Sequence, residues 1–145
     1  MDDVLKDKKI LLVEDDEDDV FLFQTAIVDI TKSSRGNIEI TVVTNGIDCL
    51  QYLSKSAPPD IVFLDINIPY KNGLECLSEI RANPALKDII IIVMSTANTR
   101  ETIEKAYAGG ADLFLPKGVD FDSFRRILAE CFSTKTFKKP ITISL

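Results

Sequence analysis

Five short apolar runs, each separated from the next by a longer amphipathic stretch, recur along this chain, and that alternation constrains the fold more than any other feature. The runs are Ile10 to Val13, Ile38 to Val43, Ile61 to Leu64, Ile89 to Met94 and Leu113 to Leu115. Apolar runs of this size bounded by turn residues read as strands, and the stretches between them are long enough for crossover helices. The first helix carries Val20, Phe21, Gln24, Ile27 and Val28 and is broken at Ser33, Ser34, Arg35, Gly36 and Asn37. The second covers about Gly46 to Ser54 and stops before Ala57, Pro58 and Pro59. The third, with Leu74, Leu77 and Ile80, ends near Asn83, because Pro84 disfavours a helical residue before it. A fourth with Ile103, Ala106 and Tyr107 runs to Gly109 and Gly110, where glycine can take the left-handed cap. The last places Phe121, Phe124, Leu128 and Cys131 on one face, with Asp120 as N-cap.

Strands alternating with helices imply a parallel sheet with right-handed crossovers and helices on both faces, so the fold class is α/β, doubly wound. The third and fourth runs are apolar at every position and belong in the centre of the sheet. In the second run Ile38, Ile40 and Val42 alternate with Glu39 and Thr41, which places it at an edge with one face toward water. Residues 1–134 then form one domain and 135–145 a tail, in which Pro140 precedes the strand-like Ile141 to Leu145. By strand addition that tail could extend an edge strand or reach a second copy, giving a homodimer.

Composition removes several kinds of function. The chain has 145 residues and a net charge of −6, enough length for one core without disulfides or a structural metal. It contains no His, which excludes Ser-His-Asp and Cys-His nucleophile systems, His-ligated zinc and histidine phosphotransfer modules. Acidity argues against nucleic-acid binding, which needs clustered cations; the one mild cluster is Lys135, Lys138 and Lys139. Cys49, Cys76 and Cys131 are odd in number, widely spaced and set in apolar patterns, as reduced core residues would be. The charged start, Met1 to Lys9, lacks the apolar stretch of a signal peptide, and no run approaches a membrane span. The expectation is a soluble, cytoplasmic protein that binds neither membrane nor nucleic acid.

In an open parallel sheet, functional loops gather beyond the carboxyl ends of the strands. After the first run come Glu14 and Asp15, after the third Asp65, after the fourth Ser95 and Thr96, and after the fifth Lys117. Crowded carboxylates repel, and a hard cation such as Mg²⁺, bound through oxygen and retaining waters, relieves them. A cation beside a carboxylate nucleophile, faced by an ammonium and a hydroxyl, suits receipt of a phosphoryl group. Asp65 fits the nucleophile because it ends a central strand, while Glu14 and Asp15 open the acidic run that suits the ion. Asp16, Glu17, Asp18 and Asp19 read equally well as a solvated helix N-terminus, where negative charge is favoured.

These residues resemble the receiver domains of bacterial two-component response regulators, over about Lys8 to Phe132. The matching pieces are Leu11-Leu12-Val13-Glu14-Asp15-Asp16, Phe63-Leu64-Asp65-Ile66-Asn67-Ile68-Pro69 with Asn72-Gly73, Val93-Met94-Ser95-Thr96, and Ala108-Gly109-Gly110-Ala111-Asp112 leading to Phe114-Leu115-Pro116-Lys117. Each piece alone is weak; their order and spacing are specific. The resemblance implies the flavodoxin-like receiver fold with strand order 2-1-3-4-5. It makes Asp65 the phosphoacceptor, Glu14 and Asp15 the acidic pair, and the Asn67 backbone carbonyl a further ligand of Mg²⁺. Lys117 would pair with the phosphoryl group, Ser95 would hydrogen-bond it, and Phe114 would be a switch aromatic that turns inward.

Family members usually carry a cis Lys-Pro at the last of these positions, whereas Gly118 follows Lys117 here. A non-proline cis bond costs about 3 kcal/mol, so a trans peptide and a shifted loop are expected. Phe114 lacks the hydroxyl of the commoner tyrosine, so a switch there works by ring burial alone. Asn67 and Ala97 occupy positions that tune hydrolysis in the family.

The function implied is a single-domain response regulator. It takes a phosphoryl group from a histidine kinase or phosphotransfer protein and signals by a conformational shift and protein contact, since no DNA-binding or enzymatic segment follows Phe132. It is not an enzyme toward other substrates, beyond catalysing its own phosphorylation and dephosphorylation. The single-domain form looks most like regulators paired with phytochrome-type or hybrid kinases. Two alternatives stand beside it: a phosphorylation-independent receiver-like adaptor, and a haloacid dehalogenase-type phosphatase. The phosphatase would need an acid two positions after its nucleophile, where this chain has Asn67. A flavodoxin-like binder of a phosphorylated cofactor would meet repulsion from Glu14 to Asp19.

Overall fold

The computed structural model describes residues 8–32 and 38–133. The breakers expected at Ser33 to Asn37, the tail from 135 to 145, and the strand pairing or homodimer built on that tail lie outside the described residues. Five strands alternate with five helices: β1 Lys9–Val13, α1 Glu17–Thr31, β2 Glu39–Val43, α2 Gly46–Lys55, β3 Ile61–Asp65, α3 Gly73–Ala82, β4 Ile90–Ser95, α4 Arg100–Ala108, β5 Leu113–Pro116 and α5 Phe121–Ser133. The strands form one sheet in the order β2-β1-β3-β4-β5, every pair parallel. The fold is therefore the doubly wound α/β arrangement that the alternation of patterns dictates. Among the described residues no helix is long and apolar enough to cross a membrane.

Side-chain alternation along the strands divides the core in two. Leu11, Val13, Val62, Leu64, Ile91 and Val93 face the side covered by α2, α3 and α4, together with Cys49, Leu77 and Ile80. Ile10, Leu12, Ile61, Phe63, Ile92 and Met94 face α1 and α5, together with Phe23, Ile27 and Leu128. β3 is buried at all five positions, as a strand covered on both faces must be. Each such Val, Leu or Ile contributes about 1.5–3 kcal/mol by leaving water. Cys49, Cys76 and Cys131 are buried and form no disulfide.

Two sequence expectations need correction. The face of α1 that meets the sheet is Phe23, Ala26, Ile27 and Ile30, not the set built on Phe21 and Val28, which are 67% and 66% exposed. The helix is apolar on almost every side, so its periodicity has no unique phase, and the choice is made by packing: the Phe23 ring meets Phe63 edge-on at 4.7 Å. β2 does lie at the sheet edge, but it does not leave one clean face to water. Ile40, Thr41, Val42 and Val43 are all half-buried, because helices lie along both faces of the sheet even at this edge. A short 3-10 turn, Pro84–Leu86, follows α3 directly after its break at Asn83. At the end of α4 the residue with positive φ is Gly110, at 106°; the capping Gly109 remains right-handed.

Candidate functional site

The parallel register lines up the carboxyl ends of the strands: Val13 lies opposite Leu64 and Val43, Asp65 opposite Met94, and Ser95 opposite Pro116. The ladder continues one step past the apolar runs, since Ile66 N–H donates to Met94 O at 3.0 Å and Lys117 N–H donates to Ser95 O at 2.9 Å. Glu14, Asp65, Ser95 and Lys117 therefore stand on one edge of the sheet, on rigid strand ends.

Ligand oxygens of Glu14, Asp15 and Asp65 lie within 4.8 Å of one another. Glu14 and Asp65 are buried, at 2% and 4% exposure, while Asp15 is exposed. The Asp65 side chain is aimed by two partners: Asn67 N–H donates to Oδ1 at 3.1 Å and Lys117 Nζ donates to Oδ2 at 2.8 Å. Gly73 closes the loop from behind, its N–H donating to Ile66 O at 2.9 Å. A Cβ at Gly73 would lie 2.4 Å from Asp65 O, so the close approach of α3 to the end of β3 requires glycine. Asn72 caps α3 with a reciprocal box to Glu75.

Burial pushes the Glu14 carboxyl up to about 7, against the lowering effect of its hydrogen bond from Lys117, and the Asp65 charge adds to the rise. Burial works against the charge on Lys117 as well, yet hydrogen bonds to Asp65, Glu14 and Asp19 outweigh it and raise its pKa. Lys117 is thus an ammonium at neutral pH. The donor set is hard oxygen, its charges converge, and one buried carboxylate ionises with difficulty by itself; these residues fit a small divalent cation.

Ser95 is fully buried, and its hydroxyl oxygen accepts from Ala97 N–H at 3.0 Å. Asn67 is exposed beside Asp65. Phe114 is 4% exposed and packs into the core on the α4 side, with its backbone N–H donating to the Tyr107 hydroxyl at 3.1 Å. Its ring is already inward in this structure. No cis peptide occurs among the described residues, so Lys117-Gly118 is trans, and Gly118 absorbs the turn with φ of 83°.

One contact was not marked by the sequence. Asp19 Oδ2 lies 2.9 Å from Lys117 Nζ, a third carboxylate on the same ammonium. Nothing in composition separates Asp19 from Glu17 and Asp18; the usable signal is that α1 starts at this edge of the sheet, so its first turn stays near Lys117.

Residues 10–129 match the family described as the response regulator receiver domain. The chain is similar to response regulator Rcp1 of Synechocystis sp., with 30% identity over 141 residues, covering 92% of this chain and 93% of that protein. Among solved structures it is similar to the phosphorylated cyanobacterial phytochrome response regulator RcpA, at 30% identity and a TM-score of 0.78, covering 86% of this chain and 91% of that one. It is also similar to the Mn²⁺-bound form of Rcp1, at 29% identity and a TM-score of 0.75, covering 89% and 97%. With strand order, register and the matched span in agreement, this chain belongs to the response regulator receiver domain family of two-component systems.

Proposed function

We propose that the chain is a phosphorylation-controlled signalling module whose acceptor is Asp65. The observation that carries this reading is the pairing of Asp65 Oδ2 with Lys117 Nζ at 2.8 Å, at the end of the central strand and within the acidic triad. A carboxylate oxygen of Asp65 attacks the phosphorus of a phosphodonor, the bond from phosphorus to the donor's leaving atom breaks, and an acyl phosphate results. Glu14, Asp15, Asp65 and the Asn67 carbonyl would hold Mg²⁺, which when bound offsets negative charge on the transferred group. Lys117 neutralises a phosphoryl oxygen, and the Ser95 hydroxyl turns from the Ala97 side to donate a hydrogen bond to another.

The donor would be a histidine kinase or a phosphotransfer protein, a partner that membership of the receiver family supports. The output is protein contact after a shift between two pre-existing conformations, with burial of the Phe114 ring marking one of them. Similarity to Rcp1 and to the phytochrome response regulator RcpA supports a phytochrome-type kinase as the donor. The module is not an enzyme toward other substrates, and the cytoplasm, where such kinases present their phosphohistidine, is its expected site. A haloacid dehalogenase-type reaction lacks its second acid, since Asn67 stands two positions after Asp65.

The test is intact mass after incubation with acetyl phosphate. Wild type with Mg²⁺ gains one phosphoryl group, whereas Asp65→Asn and a metal-chelated control gain none. Absence of any gain in the wild type would overturn the reading in favour of a phosphorylation-independent adaptor.

A further inference from the structure

Lys117 Nζ is surrounded by Glu14 Oε1 at 2.6 Å, Asp65 Oδ2 at 2.8 Å and Asp19 Oδ2 at 2.9 Å. An ammonium has three donors, so these partners occupy all of them. Two of the partners belong to the acidic triad that fits a cation; Asp19 does not. We propose that Asp19 is a positioning residue for Lys117, the anchor that keeps the ammonium at the site when a divalent cation draws Glu14 and Asp65 to itself. The inference rests on the metal-dependent reading above.

A dication and an ammonium compete for the same oxygens and repel each other across a few ångströms. Once Glu14 and Asp65 are engaged elsewhere, a lysine on a short loop beside Gly118 would turn into water unless another anion held it. Asp19 is placed for that task by the local geometry of α1. Its N–H donates to the N-cap Asp16 at 3.0 Å, and the Asp16 N–H donates to Glu14 Oε2 at 3.3 Å. The carboxylate at this third helical position would otherwise reach back to the N-cap N–H in a capping box. With that N–H directed to Glu14, the Asp19 side chain faces Lys117.

There is also room for the movement. Glu14, Asp19 and Lys117 border a cavity of about 220 Å³ between α1 and the segment joining β5 to α5, walled by Leu22, Phe121 and Phe124. The ammonium can shift from Glu14 toward Asp19 through this space without displacing backbone. The Asp19 side chain is 38% exposed against 2% for Glu14, so it stands at the rim of the site and outside the buried pair that a cation would draw together.

The test follows the side-chain ¹⁵Nζ resonance of Lys117 in the full chain, assigned with Lys117→Arg, for wild type, Asp19→Asn and Asp19→Glu, each with and without saturating Mg²⁺. In wild type the resonance stays shifted and protected from exchange when Mg²⁺ is added. In Asp19→Asn it moves to the position of a solvated lysine on adding Mg²⁺, and Asp19→Glu restores the wild-type behaviour. At saturating Mg²⁺ the rate of phosphorylation by acetyl phosphate falls about tenfold in Asp19→Asn, less than the roughly 10²–10³-fold cost of removing a transition-state donor outright because Lys117 is displaced and not lost, and recovers in Asp19→Glu. An identical Mg²⁺ response of the resonance in wild type and Asp19→Asn overturns the inference. Failure of the wild type to take a phosphoryl group would overturn the proposed function instead, and the resonance comparison would still decide the role of Asp19.

Discussion

Glu14 is a buried carboxylate whose pKa rises from the ordinary 4.5 to about 7 in the fold. Below the ordinary value it is protonated in both folded and unfolded chains and has no effect on the balance. Between the two values the unfolded chain loses the proton and the folded one keeps it, so stability falls as pH rises, and the whole loss is present above about 7. The scale is on the order of 3 kcal/mol. Metal-free Glu14→Gln should therefore melt above wild type at pH 8, with the gap closing toward pH 5, in thermal melts followed by circular dichroism. Mg²⁺ should raise the wild-type midpoint at pH 8 and leave that of Glu14→Gln nearly unmoved; a wild-type midpoint flat with pH would remove Glu14 from the balance. At this scale the convergence of Glu14, Asp15, Asp65, Ser95 and Lys117 was legible because each lies at or just past the carboxyl end of a strand, and the sheet fixes where strand ends go. Asp19 was not legible, since it is one of six consecutive acids and only the path of the Lys117 side chain singles it out.

Among the elements, the seat of Asp65 depends on how closely α2 and α3 approach the loop after β3. Gly46 N–H donates to Pro69 O at 3.2 Å, and a Cβ there would lie 2.0 Å from Lys71 O. At Gly73 the obstruction is the Asp65 carbonyl and the Ile66 Cα, both backbone, so the strain cannot be relieved by a side-chain rotation. Gly73→Ala should lower the unfolding free energy by about 2 kcal/mol or more, read from urea denaturation. It should also slow phosphorylation by acetyl phosphate, because the loop that aims Asp65 must move; unchanged stability would contradict the close approach. The boundaries of the strands were legible to within one residue. β3, β4 and β5 run on to Asp65, Ser95 and Pro116, since a backbone ladder does not end where the side chains become polar. The α1 face is ambiguous in the sequence for a different reason: Phe21 and Val28 stand on one side of the helix and Phe23, Ala26, Ile27 and Ile30 on another, both apolar, and only contact with Phe63 and α5 selects between them.

For the molecule as a whole, strand order was legible from burial pattern combined with resemblance: uniformly apolar β3 and β4 occupy the interior and mixed β2 an edge. The edge that gathers the acids carries a large share of the net charge of −6, balanced at its centre by Lys117. The proposed function couples phosphoryl transfer, cation binding and conformation at this edge, and it requires that the bond form at Asp65. The most direct measurement is reductive trapping: treat the protein with acetyl phosphate and Mg²⁺, reduce with borohydride, digest, and sequence the peptides by mass spectrometry. Borohydride converts an aspartyl phosphate to homoserine and spares free carboxylates. The account predicts homoserine at position 65 alone; homoserine elsewhere in the acidic run, or none, would contradict it.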